Sequence, residues 1–231
     1  LATTSAPVLA QTKSADPYAA RVARVLKQTP LIDGHNDWPG ELEDLGGDKR
    51  FTMDLNRLPD KGPDRYNTDI RRLRAGMVGG QFWSVYVSAT LPPLEQVKAT
   101  LDRIDTVKQF VARYPGTFEL ARTAADVRRI HRAGRIASLI GVEGGGQIAG
   151  DLAVLRAYHQ LGAGYLTLTH SRTISWADSA TDDPKHGGLT REGEAVVREL
   201  NRLGMLVDLS HVSEGTMMDA IRVSRAPVIF S

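Results

Sequence analysis

The chain has 231 residues, 42% of them hydrophobic, with 29 Lys and Arg against 27 Asp and Glu and no cysteine. That length can bury a sizeable core, enough for one α/β barrel or two small domains, while the nearly balanced charge leaves no electrostatic footprint for nucleic acid. Without cysteine, disulfides and thiolate zinc sites are excluded, so a bound metal would rest on histidines and carboxylates.

Near the start, Ala6-Pro7-Val8-Leu9-Ala10-Gln11 places small or apolar residues at Val8 and Ala10, the pattern a signal peptidase reads. Residues 1–20 are therefore expected to be a signal-peptide remnant or flexible tail ahead of one domain over 21–231. Export to the periplasm or medium follows from that expectation, with a cytoplasmic location as the alternative. No run of about 18 apolar residues is present to span a membrane as a helix.

The first apolar run, 30–33, leads into His35-Asn36-Asp37. Residues 39–66, rich in Gly, Asp and Pro, read as a long loop, and Arg71-Arg72-Leu73-Arg74 as the solvated face of a short helix. A second apolar run covers 81–87. In 94–113, Val97, Leu101, Ile104, Val107 and Val111 recur at helical spacing. Thr123 can cap a helix carrying Val127 and Ile130, ahead of a third run at 137–142. Residues 151–161 form a helical pattern that stops at Gly162, before a fourth run at 164–168. An irregular stretch, 175–188, precedes Thr190, which opens a helix with Val196, Val197, Leu200 and Leu203 on one face and ends at Gly204. The fifth run is 205–209. Ser213 caps a last helix through Met217, Ala220 and Ile221, and a sixth run closes the chain at 227–231. Strands alternating with helices predict βα units and a parallel sheet, either a doubly wound sheet or a (β/α)8 barrel.

The polar residues fall on this map in a pattern. His35 and Asp37, two apart after a strand, project to the same side and can converge on one ion. Glu143 closes the third run, His170 the fourth and His211 the fifth. In a barrel these strand ends meet around one mouth, where active sites of that fold are assembled. Taken singly, a histidine beside an apolar run is more often a hydrogen-bonded core residue than a ligand. Glu143, followed by Gly144-Gly145-Gly146, is harder to dismiss, because a buried carboxylate needs a partner and a metal supplies one. Asp208 is out of phase with Leu209 and His211 and reads as a structural hydrogen bonder. His131 and His159 lie inside helical patterns and His186 in a polar loop, so all three read as structural or solvated. Gly144 to Ala149 also fits the dinucleotide pattern G-x-G-x-x-A. The acidic residue that pattern needs about 20 positions on is replaced by His170, so the glycines read as clearance beside Glu143.

With these residues in hand, the chain resembles the membrane dipeptidase (renal dipeptidase) family of zinc peptidases, in its bacterial form. The resemblance is carried by Ile32-Asp33-Gly34-His35-Asn36-Asp37, by Leu73-Arg74-Ala75-Gly76 and Gly80-Gln81-Phe82-Trp83-Ser84-Val85-Tyr86, and by Gly141-Val142-Glu143-Gly144. It continues through Tyr165-Leu166-Thr167-Leu168-Thr169-His170, Trp176-Ala177-Asp178, Gly187-Gly188-Leu189-Thr190, Asn201-Arg202-Leu203-Gly204-Met205 and Asp208-Leu209-Ser210-His211. It implies a (β/α)8 barrel of the metal-dependent hydrolase type holding two Zn2+ ions. His35 and Asp37 would bind one zinc, Glu143 would bridge both, and His211 would bind the other. His170 would hold the substrate carbonyl or the oxyanion. Dipeptides would be the substrates, cleaved to free amino acids by a metal-bridging hydroxide, and a homodimer is a further expectation.

The chain departs from the family pattern at its end, where Ala226-Pro227-Val228-Ile229-Phe230-Ser231 corresponds to the sixth strand. The second histidine of the His211 zinc follows that strand in the family, and a carboxylate-gripping Arg and a proton-handling Asp come later. The resemblance thus implies about the first six βα units, a truncated or split product, and a second zinc short of one ligand. Two alternatives stand beside it. One is a related barrel hydrolase of lactones or cyclic amides, which usually carries His-x-His and a bridging Lys. The other is an inactive fragment binding one zinc weakly.

Overall fold

Parallel strands need crossovers, and the amphipathic stretches between the apolar runs supply them. The computed structural model describes residues 16–62 and 65–231. In chain order the elements are α1 (Ala19–Gln28), β1 (Leu31–Asp33), α2 (Trp38–Asp44), α3 (Lys49–Thr52), α4 (Ile70–Ala75), β2 (Val78–Tyr86), α5 (Pro93–Arg113) and β3 (Phe118–Leu120). They continue with α6 (Ala124–Arg132), β4 (Ile136–Glu143), a 3-10 turn (Gly145–Ile148), α7 (Leu152–Leu161), β5 (Ala163–Thr167), α8 (Arg191–Leu203), β6 (Leu206–Asp208) and α9 (Glu214–Val223).

The strands form one parallel sheet in the order β1-β2-β4-β5-β6, with β3 beside β4. The order never reverses, which removes the doubly wound alternative and leaves a curled part-barrel. β4 is buried at every position and β2 at all but its two ends, as expected of strands covered on both faces. On the outer face, Trp38, Trp83, Phe110 and Phe118 lock α2 and α5 onto β2, with ring centroids 5.0 to 5.9 Å apart. On the inner face, Phe82 and Tyr165 pack at 5.0 Å.

Local signals place the helix ends. Thr123 and Asp126 form a reciprocal capping box on α6, and Asp151, Thr190 and Ser213 each accept a backbone N–H at the start of their helices. Gly162 and Gly204 end α7 and α8 in the left-handed conformation, at φ 112° and 75°.

Four expectations need correction or limits. The loop expected over 39–66 carries α2 and α3, because Trp38 and Leu42, four residues apart, bury one helical face among the Gly, Asp and Pro residues. β3 escapes the apolar-run reading because it is only three residues long and borrows its order from β4, pairing Phe118 with Ile136. The run 227–231 makes no strand of its own. Only Ile229 pairs with Asp208, its N–H donating to Val207 and its carbonyl accepting from Leu209. The expected tail falls largely on residues 1–15, outside the described residues, and α1 already begins at Ala19. Among the described residues, no helix is long and apolar enough to cross a membrane.

Gly141 is required by packing rather than by backbone conformation. A Cβ there would sit 1.9 Å from Tyr165 Cζ, so the tyrosine ring occupies the space of the missing side chain. Gly141→Ala should therefore destabilise the fold by about 1–3 kcal/mol or more, measured as a drop in the urea midpoint. Gly116→Ala, whose Cβ meets nothing within 4 Å, should change stability by no more than about 0.5 kcal/mol. Equal midpoints for the two variants would contradict the packing.

Candidate metal centre

The parallel register carries polar side chains to one end of the sheet. Glu143 is the last residue of β4, opposite Tyr86 on β2 and Thr167 on β5. Its side chain is only 6% exposed, yet its two oxygens face different partners. Oε2 lies 3.4 Å from His35 Nε2 and accepts the Ser84 hydroxyl at 2.8 Å. Oε1 lies 3.2 Å from His211 Nε2 and 3.5 Å from His170 Nε2. Among the described residues, those three imidazoles are the ionic partners Glu143 has.

Two donor groups result, and they share Glu143. In one, His35, Asp37 and Glu143 bring a ligand atom each to within 4.8 Å of the others; in the second, Glu143, His170 and His211 do so. All five residues singled out from the sequence thus converge. His131, His159 and His186 stand outside both groups. The donors are imidazole nitrogens and carboxylate oxygens around a buried carboxylate without a lysine or arginine counter-charge. That set suits a divalent ion such as zinc. His170 Nδ1 is buried without a partner among the described residues.

His35 is held through its ring, and His170 and His211 through their backbone carbonyls. The ring of Tyr165, seated over Gly141, brings its hydroxyl to 3.2 Å from His35 Nδ1, which leaves Nε2 for the mouth. Asn36 bonds Thr68, and its carbonyl accepts the Ser84 N–H at 2.9 Å, which ties the His-x-Asp turn to β2. His211 takes a left-handed backbone, φ 65°, a conformation of the kind that clusters at functional sites. Its carbonyl accepts from Ala180 N and from the Thr169 hydroxyl. The irregular stretch 175–188 is ordered by Asp178, a buried carboxylate that accepts the N–H groups of Lys185, His186 and Gly188. From that stretch Ser179 donates to the His170 carbonyl. The His170 ring lies between Tyr86 and His211, at centroid distances of 4.5 and 4.3 Å.

Asp208 behaves as a structural hydrogen bonder. It is fully buried and accepts from Thr167 Oγ1, Ser210 N, and the N–H and hydroxyl of Ser231. The glycine run beside Glu143 leaves no open phosphate cradle. A Cβ on Gly145 would meet the Leu168 carbonyl at 2.2 Å and Trp176 at 2.5 Å, so these glycines permit close packing.

Charge follows from this arrangement. The hydrogen bond to Asp37 raises the His35 pKa above 6.5, against the opposing effect of burial and with help from the Glu143 charge. The same bond lowers Asp37 below its ordinary value. Burial lowers His170 below 6.5, and repulsion from His211 and His35 acts in the same direction.

The sequence matches the family model for membrane dipeptidase (peptidase family M19) over residues 19–231. The chain belongs to the membrane dipeptidase family. It is 39% identical to dipeptidase verJ of Clonostachys rogersoniana over 97% of this chain and 60% of the relative. It is 42% identical to dipeptidase ataJ of Aspergillus terreus over 94% of this chain and 58% of the relative. Among solved structures it resembles the M19 metallopeptidase dipeptidase AC, with a TM-score of 0.76 and 29% identity, covering 88% of this chain and 62% of that one. A metallopeptidase from Rhodobacter sphaeroides, liganded with a phosphinate mimic of the dipeptide L-Ala-D-Ala, has a TM-score of 0.75 and 26% identity, covering 88% and 64%. The chain thus spans about 60% of the length of the family members it matches.

Ser84, Tyr165 and Thr169 were not legible as site residues. Alternation along 81–87 puts Ser84 on one face with Phe82 and Tyr86, but only the strand register shows that this face meets Glu143. In the metal-free protein, NMR titration should show His170 losing its proton before His35 as the pH rises. A His35 midpoint below that of His170 would refute the His35–Asp37 pairing.

Proposed function

We propose that this chain carries the metal-binding wall of a dipeptidase, in which His35, Asp37, Glu143 and His211 hold two Zn2+ ions and dipeptides are cleaved to amino acids. The observation that carries the reading is the sharing of Glu143 between two donor groups at the carboxyl ends of parallel strands. Bound divalent ions would supply Lewis acidity toward the scissile carbonyl and acidify a water at the mouth. The protein's own part is positional. Glu143 holds both donor groups in register, and Asp37 keeps the His35 ring turned toward the mouth. His170, whose ring lies between those of Tyr86 and His211, would be the donor to the substrate carbonyl and to the charge that develops on its oxygen. The donor set favours this reading over lactone or cyclic-amide hydrolysis, because a carboxylate, Glu143, stands between the two groups and Asp37 follows His35.

The test is zinc content of the dialysed protein together with release of alanine from L-Ala-L-Ala and L-Ala-D-Ala. Glu143→Gln should abolish hydrolysis and weaken metal at both groups, because it removes the shared charge. Unchanged zinc content in that variant would refute the bridging role. His170→Ala should keep its zinc while turnover falls about 10²–10³-fold. Loss of zinc from His170→Ala would instead make His170 a ligand.

A further inference from the structure

We infer that Ser84 is a positioning residue for the first donor group, holding in place the Glu143 oxygen that faces His35. The inference rests on the metal reading above. The terminal torsion of a glutamate is soft and broadly two-fold, so packing of the side-chain stem does not by itself hold the carboxylate plane. The oxygen that Glu143 turns toward His35 therefore needs a partner of its own to stay there. Here the Ser84 hydroxyl donates to Oε2 at 2.8 Å, which leaves Oε1 to face His211 and His170.

Ser84 is itself held firmly. It lies within β2, is 1% exposed, and its N–H donates to the Asn36 carbonyl between His35 and Asp37. One residue therefore ties together both parts of the first donor group, the His-x-Asp turn through its backbone and Glu143 through its side chain. Its register partner on β4 is Gly141, which has no side chain to displace the hydroxyl from Glu143. A hydroxyl at a buried strand position costs stability unless it is bonded, and here its bond goes to the shared carboxylate. Groups that hydrogen-bond a ligand from behind typically change metal affinity by about 10–100-fold when removed.

The experiment measures Zn2+ affinity by competition with a chromophoric chelator in two backgrounds. His211→Ala leaves the His35, Asp37 and Glu143 group as the binding site, and His35→Ala leaves the side of Glu143 that faces His211. Adding Ser84→Ala should weaken binding about 10-fold or more in the first background and less than about 3-fold in the second. Ser84→Thr, which keeps the hydroxyl, should restore the first affinity to within about 3-fold. Unchanged affinity in both backgrounds overturns the assignment. Equal loss in both backgrounds overturns it too, because general damage to the fold does not choose between sites, and so does equal loss with Ala and Thr. A protein with all three residues intact that takes up no Zn2+ overturns the metal reading itself, whatever the Ser84 variants do.

Discussion

The site depends on one constraint, the burial of the Glu143 carboxylate where the parallel strands end. A charge at 6% exposure must be neutralised or bonded, and here three imidazoles and a serine hydroxyl face it. Everything nearby serves that arrangement. Gly141 makes room for Tyr165, and Tyr165 turns His35. Gly145, just after Glu143, lets the chain pass close against Trp176 and the Leu168 carbonyl.

A second layer of order comes from backbone groups. The 175–188 stretch has little regular structure, yet Asp178 gathers three N–H groups from it, and the stretch then bonds the carbonyls of both His170 and His211. Such a segment can hold neighbouring residues closely because its own polar groups are satisfied internally. His211, in a left-handed conformation, depends on these bonds more than a residue in a relaxed conformation would. The site is thus built jointly by strand ends and by one irregular segment, an arrangement in which loops supply chemistry and the sheet supplies rigidity.

The curled sheet also explains why the two donor groups differ. His35 and Asp37 come from a single turn after β1, whose edge residues Leu31 and Ile32 are 42% and 47% exposed. His170 and His211 follow β5 and β6, on the far side of Glu143. Curvature brings the ends of β1 and β6 toward each other across the central β4, and a flat sheet with the same order would leave the groups apart. Family members of greater length share this curvature over the part that aligns with the present chain.

Much of this was determined by the sequence alone, where physical signals are local. Helix caps at Thr123, Asp151, Thr190 and Ser213, glycine stops at Gly162 and Gly204, and the apolar runs of β2, β4 and β5 follow from hydrogen bonding and burial within a few residues. The five metal-type residues were legible because each sits at a strand end, and the motif resemblance pointed to the family. Helix α2 and strand β3 were not legible, since α2 is held by Trp38 docking on Trp83 and β3 by pairing with β4. The hydrogen-bond partners of Ser84 and Tyr165 were equally hidden. Only the tertiary structure decided them, because a side chain acquires a partner across strands from register and curvature, neither of which is encoded by nearby residues in the chain.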